Sequence, residues 1–389
     1  MQPSATLAMS ARARELKQAG RPVIGLSAGE PDFGTPEVIS EAGRRAIDEG
    51  QTHYTDNPGM PELRQAIVDK LKKDNGLEYA VEDIVCSNGA KQSVAMAISV
   101  LCRSGDEVLI PAPYWVSYPE MVRFAGAEPV SVETSVETEY RITPEQLERA
   151  INENTRLFIM CSPSNPTGSV YPREELEAIA EVLRRHPHVY VLSDEIYEHV
   201  IFGATHVSIA SLPGMFSRTI TVNGFSKAYA MTGWRLGYLA ADRAIAKAVS
   251  KLQGQFTSAP STITQAAGVA ALRMDKEPVN GMVEQFRRRR DLVIDRLNAI
   301  DGVRCPVPEG AFYVFPKIDA FFGRRTSSGT TIESAQDLCF YLLEEHDVAL
   351  VPGEAFGDPS GLRISYAASE DTLNEALDRI ARGLGALAA

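Results

Sequence analysis

The sequence is poor in the residues that build metal centres and disulfide frameworks. Its five cysteines, Cys86, Cys102, Cys161, Cys305 and Cys339, are odd in number, far apart and set mostly in apolar runs such as "IVC" and "LFIMC". No CxxC pair occurs, so neither a zinc cluster nor a disulfide scaffold is indicated, and no metal site is expected. Also missing is an uninterrupted apolar stretch long enough to span a bilayer. The opening "MQPSATLAMSARARELKQ" carries charges where a signal peptide needs an apolar centre, so a cytoplasmic protein with no membrane partner is expected. Basic charge is short as well. With 39 Lys and Arg against 51 Asp and Glu, the formal net charge of -12 repels phosphate backbones, and no nucleic-acid partner is expected. The local exception, "RRRR" at Arg287 to Arg290, lies in a helical pattern and reads as a solvated or partner-facing helix side. Repeats and low-complexity tracts are absent.

What is present is an ordinary globular composition over 389 residues, a length that suggests about two domains. Between about Asp83 and Leu239 the chain repeats one event, a short apolar run followed by a polar loop and a helical pattern. That alternation predicts α/β packing around a mostly parallel sheet. Helix starts are legible between the runs: Thr143, Pro144 and Gln146 form a capping-box pattern, and Pro172 opens "YPREELEAIAEVL". Further on, the amphipathic "MVEQFRRRRDLVIDRLNAI" is long enough to bridge two domains. Strand-like "GAFYVFPKI", "VALVPG" and "LRISYA" then alternate with helical segments as a smaller α+β unit.

In open α/β sheets ligands bind beyond the carboxyl ends of the strands. The residues at those places are chemically coherent here. "SNGAKQ" turns through Gly89 into a helix whose first N–H groups, from Ala90 and Lys91, suit a phosphate. Trp115 follows "VLIPAPY", Asn165 follows "LFIM", Asp194 and Tyr197 follow "VYVL", and Lys227 follows "TITVN". Singly, each has a plainer reading as helix start, turn residue, cap or packed aromatic. "NGFSKAYAMTGWRLG" sets a harder question, because Lys227 and Arg235 place two cations in an apolar context that needs an anionic partner.

Together these groups describe pyridoxal phosphate. Its phosphate suits the helix start and Arg235, its ring suits the face of Trp115, and its pyridine nitrogen keeps a proton beside an ionised Asp194. Its phenolic oxygen suits Asn165 and Tyr197. Its aldehyde condenses with the uncharged amine of Lys227, so that one ligand serves both cations.

"SNPTG", "SDEIYEH", "SKAYAMTGWRLGY" and "LRISYA", with "AGEPDF" and "YTDNPGMPELRQAI" upstream, resemble the class I aminotransferases of fold type I, in the bacterial-type aspartate aminotransferase branch. "PYWVSYPEMVRFAGA" narrows the match within that branch. The resemblance implies a large domain, residues 37–285, with a mostly parallel seven-stranded sheet between helices. It implies a smaller α+β domain from residues 286–389, joined by the N-terminal segment 1–36. It also implies a homodimer in which Tyr54 reaches the neighbouring subunit's phosphate and Ser226 contacts its own. Arg363 is implied as the clamp on the substrate α-carboxylate, with Asn165, Trp115 and the backbone at Gly29 nearby. Many relatives carry a serine three residues before the lysine, whereas this chain has Gly224.

The expected reaction is transfer of the amino group of aspartate or glutamate to a 2-oxo acid in two half-reactions, with Lys227, Asp194 and Tyr197 as the catalytic set. Lys91 is the candidate for the distal carboxylate, with Thr6 adding a hydroxyl, a pattern that in this branch resembles enzymes accepting prephenate as well as oxaloacetate. A lyase or decarboxylase using the same cofactor remains open from the sequence. "GFSKA" also approximates a hydrolase elbow around Ser226, but its last glycine is Ala228 and no histidine follows a late strand to act as base.

Overall fold

Residues 5–388 are described by a computed structural model, with side chains from Met9 onward. Seven strands form the main sheet, in the spatial order Ile84–Ser87, Gly237–Ala240, Thr219–Gly224, Tyr190–Asp194, Thr155–Cys161, Glu107–Ala112 and Glu128–Glu133. All run parallel except Gly237–Ala240, which is antiparallel to both its neighbours. The α/β architecture read from the alternating pattern is the one observed.

Strand pleating explains how the sheet takes helices on both faces. Along Thr155–Cys161, Leu157 and Ile159 point into a core with Val94, Ile98 and Val122. Phe158 and Met160 point the other way, against Leu176, Ile179 and Leu183. Alternate side chains leave opposite faces, so a strand covered on both sides must be apolar throughout. The helices begin where their sequences say. Thr143 Oγ1 accepts from the Gln146 N–H at 3.2 Å while Gln146 Oε1 accepts from the Thr143 N–H at 2.9 Å. Pro172 is the N-cap residue of Arg173–Arg185.

The C-terminal third builds its own core from Phe286, Leu297, Leu338, Leu342, Ile364 and Leu377, joined by Met9, Leu16, Val23 and Leu26 from the N-terminal segment. Ile24 and Gly25 pair in parallel with Val348 and Ala349. The helix Glu277–Asn298 crosses the proposed division at 285/286: Val279 and Met282 pack with Leu63 and Leu236, whereas Phe286 and Leu297 pack in the C-terminal core. The basic run on this helix departs from expectation. Arg289 is buried and forms a two-pronged ion pair with Asp32 at 2.7 and 3.0 Å, its guanidinium against Phe33 and Phe286. Arg290 lies on Asp291, the Pro308 carbonyl and the Phe202 ring. A helix buried between two cores must turn part of any four-residue run inward, and the long guanidinium stem tolerates this when a carboxylate meets it.

Candidate active site

The parallel strands end on one side of the sheet, and their terminal residues converge on a cavity of about 440 Å³. Asp194 ends its strand, Lys227 follows the strand ending at Gly224, and Asn165 follows the strand ending at Cys161. Ala90, Lys91, Trp115, Asn165, Asp194, Tyr197, Ser226, Lys227, Arg235, Arg363 and Gly29 all line this cavity. Tyr54 does not line it and is fully exposed. The side chain of Thr6 lies outside the described residues.

The floor of the cavity is charged and buried. Burial pushes the Asp194 carboxyl up to about 6, while hydrogen bonds from Tyr118 Oη (2.8 Å) and the Ile196 N–H (3.3 Å) limit the rise. Lys227 Nζ donates to the Gly29 carbonyl. Burial, and after it the charge on Arg363, bring the Lys227 amine down to about 8. Behind this floor Glu198 is buried and held by Lys70, by Asn75 at 2.8 Å and by Asn223 at 2.7 Å. Those contacts fasten the loop bearing Asp194 and Tyr197 to the strand that leads to Lys227, and a buried carboxylate so paired is a rigid joint.

One wall is built for an anion. Arg363 Nη1 donates to Asn165 Oδ1 at 3.0 Å and Nη2 to the Ser27 carbonyl at 2.6 Å, yet its buried Nε has no hydrogen-bond partner among the described residues. The Arg363 guanidinium lies between the rings of Tyr313 and Phe356, at 4.7 and 5.1 Å from their centroids. Lys91 places its ammonium 5.0 Å from the centre of the Trp115 ring, and burial followed by the charge on Arg235 lowers its basicity.

Next to Lys91, the helix Ala90–Leu101 begins with no side-chain cap, behind Gly89 at φ +85°. A Cβ on Gly89 would lie 2.5 Å from Arg235 Nη2, so only glycine lets the guanidinium close on the helix start. Arg235 itself is exposed, bonded through Nη1 to the Thr232 carbonyl at 2.8 Å and through Nη2 to the Asn88 carbonyl at 3.2 Å. It is a rim cation rather than a desolvated one, which corrects the expectation drawn from its apolar neighbours in sequence: its guanidinium is held at the surface by the Thr232 and Asn88 carbonyls, outside the packing that buries Leu236 and Gly237. The same packing accounts for Gly224. A Cβ there would meet Gly237 Cα at 2.9 Å and the Leu236 carbonyl at 3.0 Å, both backbone atoms that cannot yield.

The donor set fits pyridoxal phosphate. An uncapped helix start beside Arg235 suits its phosphate, the buried Asp194 its ring nitrogen, and the Lys227 amine its aldehyde. Among the described residues none that lines the cavity is a histidine, so Ser226 has no such base beside it there. Residues 21–380 match the family described as aminotransferase class I and II.

The chain belongs to that family.

Among its relatives in this aminotransferase family is the bifunctional aspartate aminotransferase and glutamate/aspartate-prephenate aminotransferase of Petunia hybrida. The two are 54% identical over 99% of this chain and 81% of the relative. The aspartate/prephenate aminotransferase of Cereibacter sphaeroides is 49% identical over 98% of this chain and 96% of its own. The solved aspartate aminotransferase of Rhizobium meliloti superposes with a TM-score of 0.97 at 47% identity, covering 100% of this chain and 98% of that one. The comparisons lend no support to the lyase reading. Like these aminotransferases, the chain is an α/β enzyme whose family depends on pyridoxal phosphate, and among the described residues no helix is long and apolar enough to cross a membrane.

Two residues of the site escaped the sequence reading. Tyr118, three positions after Trp115, reaches Asp194, and its ring meets Trp115 edge-on at 5.2 Å. Tyr313, read only as part of an apolar strand, bonds Tyr197 through their hydroxyls at 2.9 Å. For Tyr313 the sole hint was a tyrosine inside the otherwise apolar "GAFYVF", where a hydroxyl needs a partner, and for Tyr118 no local signal stood out.

Proposed function

We propose that this aminotransferase takes the amino group from aspartate or glutamate and passes it to oxaloacetate or prephenate, working by ping-pong kinetics as a homodimer. The observation that carries the reading is the pairing, in one cavity, of a lysine amine of reduced basicity with a buried arginine whose Nε has no hydrogen-bond partner among the described residues. The first is a proton carrier, and the second is a waiting carboxylate site.

Pyridoxal phosphate, when bound, supplies an aldehyde that condenses with amines and a ring that takes up the electron pair released at the substrate Cα. Ala90, Lys91 and Ser226 with Arg235 would hold the phosphate, Trp115 the ring face, and Asn165 and Tyr197 the phenolic oxygen. Asp194, whose carboxyl burial pushes up only to about 6, would present a negative charge to the ring nitrogen at neutral pH. Lys227, its amine brought down to about 8 by burial and then by the charge on Arg363, would be the group that takes the proton from the substrate Cα and gives it back on the far side of the amino nitrogen. Arg363 takes the α-carboxylate while Asn165 fixes the guanidinium plane, and this orients the Cα–H bond toward the lysine. Gly29 adds a backbone carbonyl that parks the Lys227 amine.

For the distal end, Lys91 is the proposed cation, and Thr6 is proposed to add a hydroxyl. An ammonium on a flexible stem accepts carboxylates at more than one distance, which suits acceptors of different length. The names borne by the Petunia and Cereibacter relatives support the inclusion of prephenate. Tyr54, exposed in the single chain, is proposed to complete a neighbouring subunit's phosphate site. The test is a substrate panel on protein loaded with pyridoxal phosphate, following its visible absorption with each amino acid and each oxo acid. Bleaching by aspartate and glutamate, and its reversal by oxaloacetate and prephenate, are expected. Lys227→Ala should abolish turnover. No response to any dicarboxylic substrate would sink the reading, and no reversal by prephenate would remove that acceptor.

A further inference from the structure

The two strands Tyr313–Val314 and Leu362–Ser365 run antiparallel, with Tyr313 opposite Ser365. Arg363, two residues before Ser365, is thus the diagonal neighbour of Tyr313, close enough for long side chains to meet. Its guanidinium lies 4.7 Å from the centre of the Tyr313 ring, on the ring face. The hydroxyl at the far end of that ring lies 2.9 Å from the Tyr197 hydroxyl. Both tyrosines are fully buried as residues, and both line the cavity. The Tyr313 hydroxyl is confined on its other side, since a Cβ on Gly29 would lie 2.7 Å from it. Tyr313 therefore touches three groups at once: the proposed carboxylate arginine, the proposed cofactor tyrosine and the loop that receives Lys227.

Two facing hydroxyls have two protons and one gap between them. One proton fills the gap, and the other is left for a third group. The charges around the pair decide which. Arg363 faces the Tyr313 ring, Lys227 faces the Tyr197 ring from 5.8 Å, and the Cys161 thiol is the remaining titratable neighbour. The nearer and permanently charged guanidinium makes Tyr313 the stronger donor. We propose that the Tyr313 hydroxyl is a positioning group: it donates to Tyr197, leaves the Tyr197 proton free for an anionic oxygen bound in the cavity, and makes the strength of that donation depend on whether Arg363 is neutralised by a carboxylate. In a chain of hydrogen bonds each donor strengthens the next, so a carboxylate on Arg363 weakens the chain and loosens the grip on the bound oxygen. This inference rests on the pyridoxal phosphate reading above. It goes further by assigning a route between the substrate-carboxylate site and the cofactor-oxygen site.

Tyr313→Phe removes the hydroxyl and keeps the ring under Arg363. The experiment titrates the visible absorption of the pyridoxal phosphate-loaded protein between about pH 5 and about pH 10, with and without maleate as an unreactive dicarboxylate. Weaker donation to the bound oxygen raises its proton affinity, so the midpoint in Tyr313→Phe is expected to rise by about half a unit, roughly threefold. The upward displacement that maleate causes in the parent is expected to shrink in the variant. In a Tyr197→Phe background, Tyr313→Phe is expected to add no displacement. An unchanged midpoint and maleate response, or the same displacement with Tyr197 already replaced, overturns the proposal and leaves Tyr313 as a packing residue. A parent that forms no pH-dependent visible band at all overturns the cofactor reading itself, and the inference with it.

Discussion

Tyr118 and Asp194 meet at 2.8 Å in the interior, hydroxyl to carboxylate, at the point where a parallel strand ends beneath the cavity. Burial raises the Asp194 carboxyl to about 6, and the Tyr118 hydrogen bond is the largest influence restraining it. Tyr118→Phe, which keeps the ring against Trp115, should move the acidic limb of the pH profile for kcat/KM up by about one unit. Activity near pH 7 should fall by about twofold and recover toward pH 8, with a loss approaching tenfold near pH 5. A limb that stays in place would show that Tyr118 does not govern Asp194.

The site should weaken the cofactor-free fold, with a sign fixed by two titrations. Asp194 titrates near 6 when folded against 3.8 when free, so the folded form binds the extra proton and stability falls as pH rises through that window. Lys227 titrates near 8 against 10.5, so its amine burdens the fold below about pH 8 and ceases to do so as pH rises toward the free value. Asp194→Asn and Lys227→Met should each stabilise the cofactor-free protein at pH 7, by an amount on the order of 2 kcal/mol. The gain from Asp194→Asn should vanish below about pH 4. Thermal unfolding across pH checks both, and an Asp194→Asn gain that grows toward acid would contradict the assignment.

Arg363→Lys should raise KM for amino and oxo acids and lower kcat/KM by about a hundredfold, because a compact ammonium has three donors but not the planar fork that spans Asn165 and the Ser27 carbonyl and still meets a carboxylate in two-pronged fashion. Steady-state kinetics with both classes of substrate are the check. An unchanged KM for both would remove Arg363 from the substrate site.

Lys91→Met and Thr6→Val should lose activity on oxaloacetate and prephenate by about ten- to a hundredfold while sparing a monocarboxylic oxo acid. Equal loss on all three acceptors would confine Lys91 to the phosphate end of the cavity.

Gly224→Ser should lower the melting temperature rather than tighten cofactor binding, since the new Cβ meets backbone at 2.9 and 3.0 Å. Overpacking of this kind costs about 1–3 kcal/mol. A variant as stable as the parent, with higher affinity for pyridoxal phosphate, would contradict this account.

Periodicity and punctuation carried the architecture. Alternating apolar runs and helical patterns between Asp83 and Leu239 determined the α/β sheet, because a strand apolar on both faces has to be covered by helices. The polar residues after those runs were legible as cavity residues for a geometric reason: parallel strands put their carboxyl ends on one side, so Asp194, Asn165 and Lys227 had to converge. Contacts between distant segments were decided only in three dimensions. The burial of Arg289 on Asp32, the outward path of Arg235, and the bonds from Tyr118 to Asp194 and from Tyr313 to Tyr197 join residues that no local pattern relates. A side chain's charge and size are written in the sequence, but its solvation and its partner belong to the packing of elements far apart in the chain, and those two quantities set the basicity of Lys227 and leave Arg363 Nε unpaired.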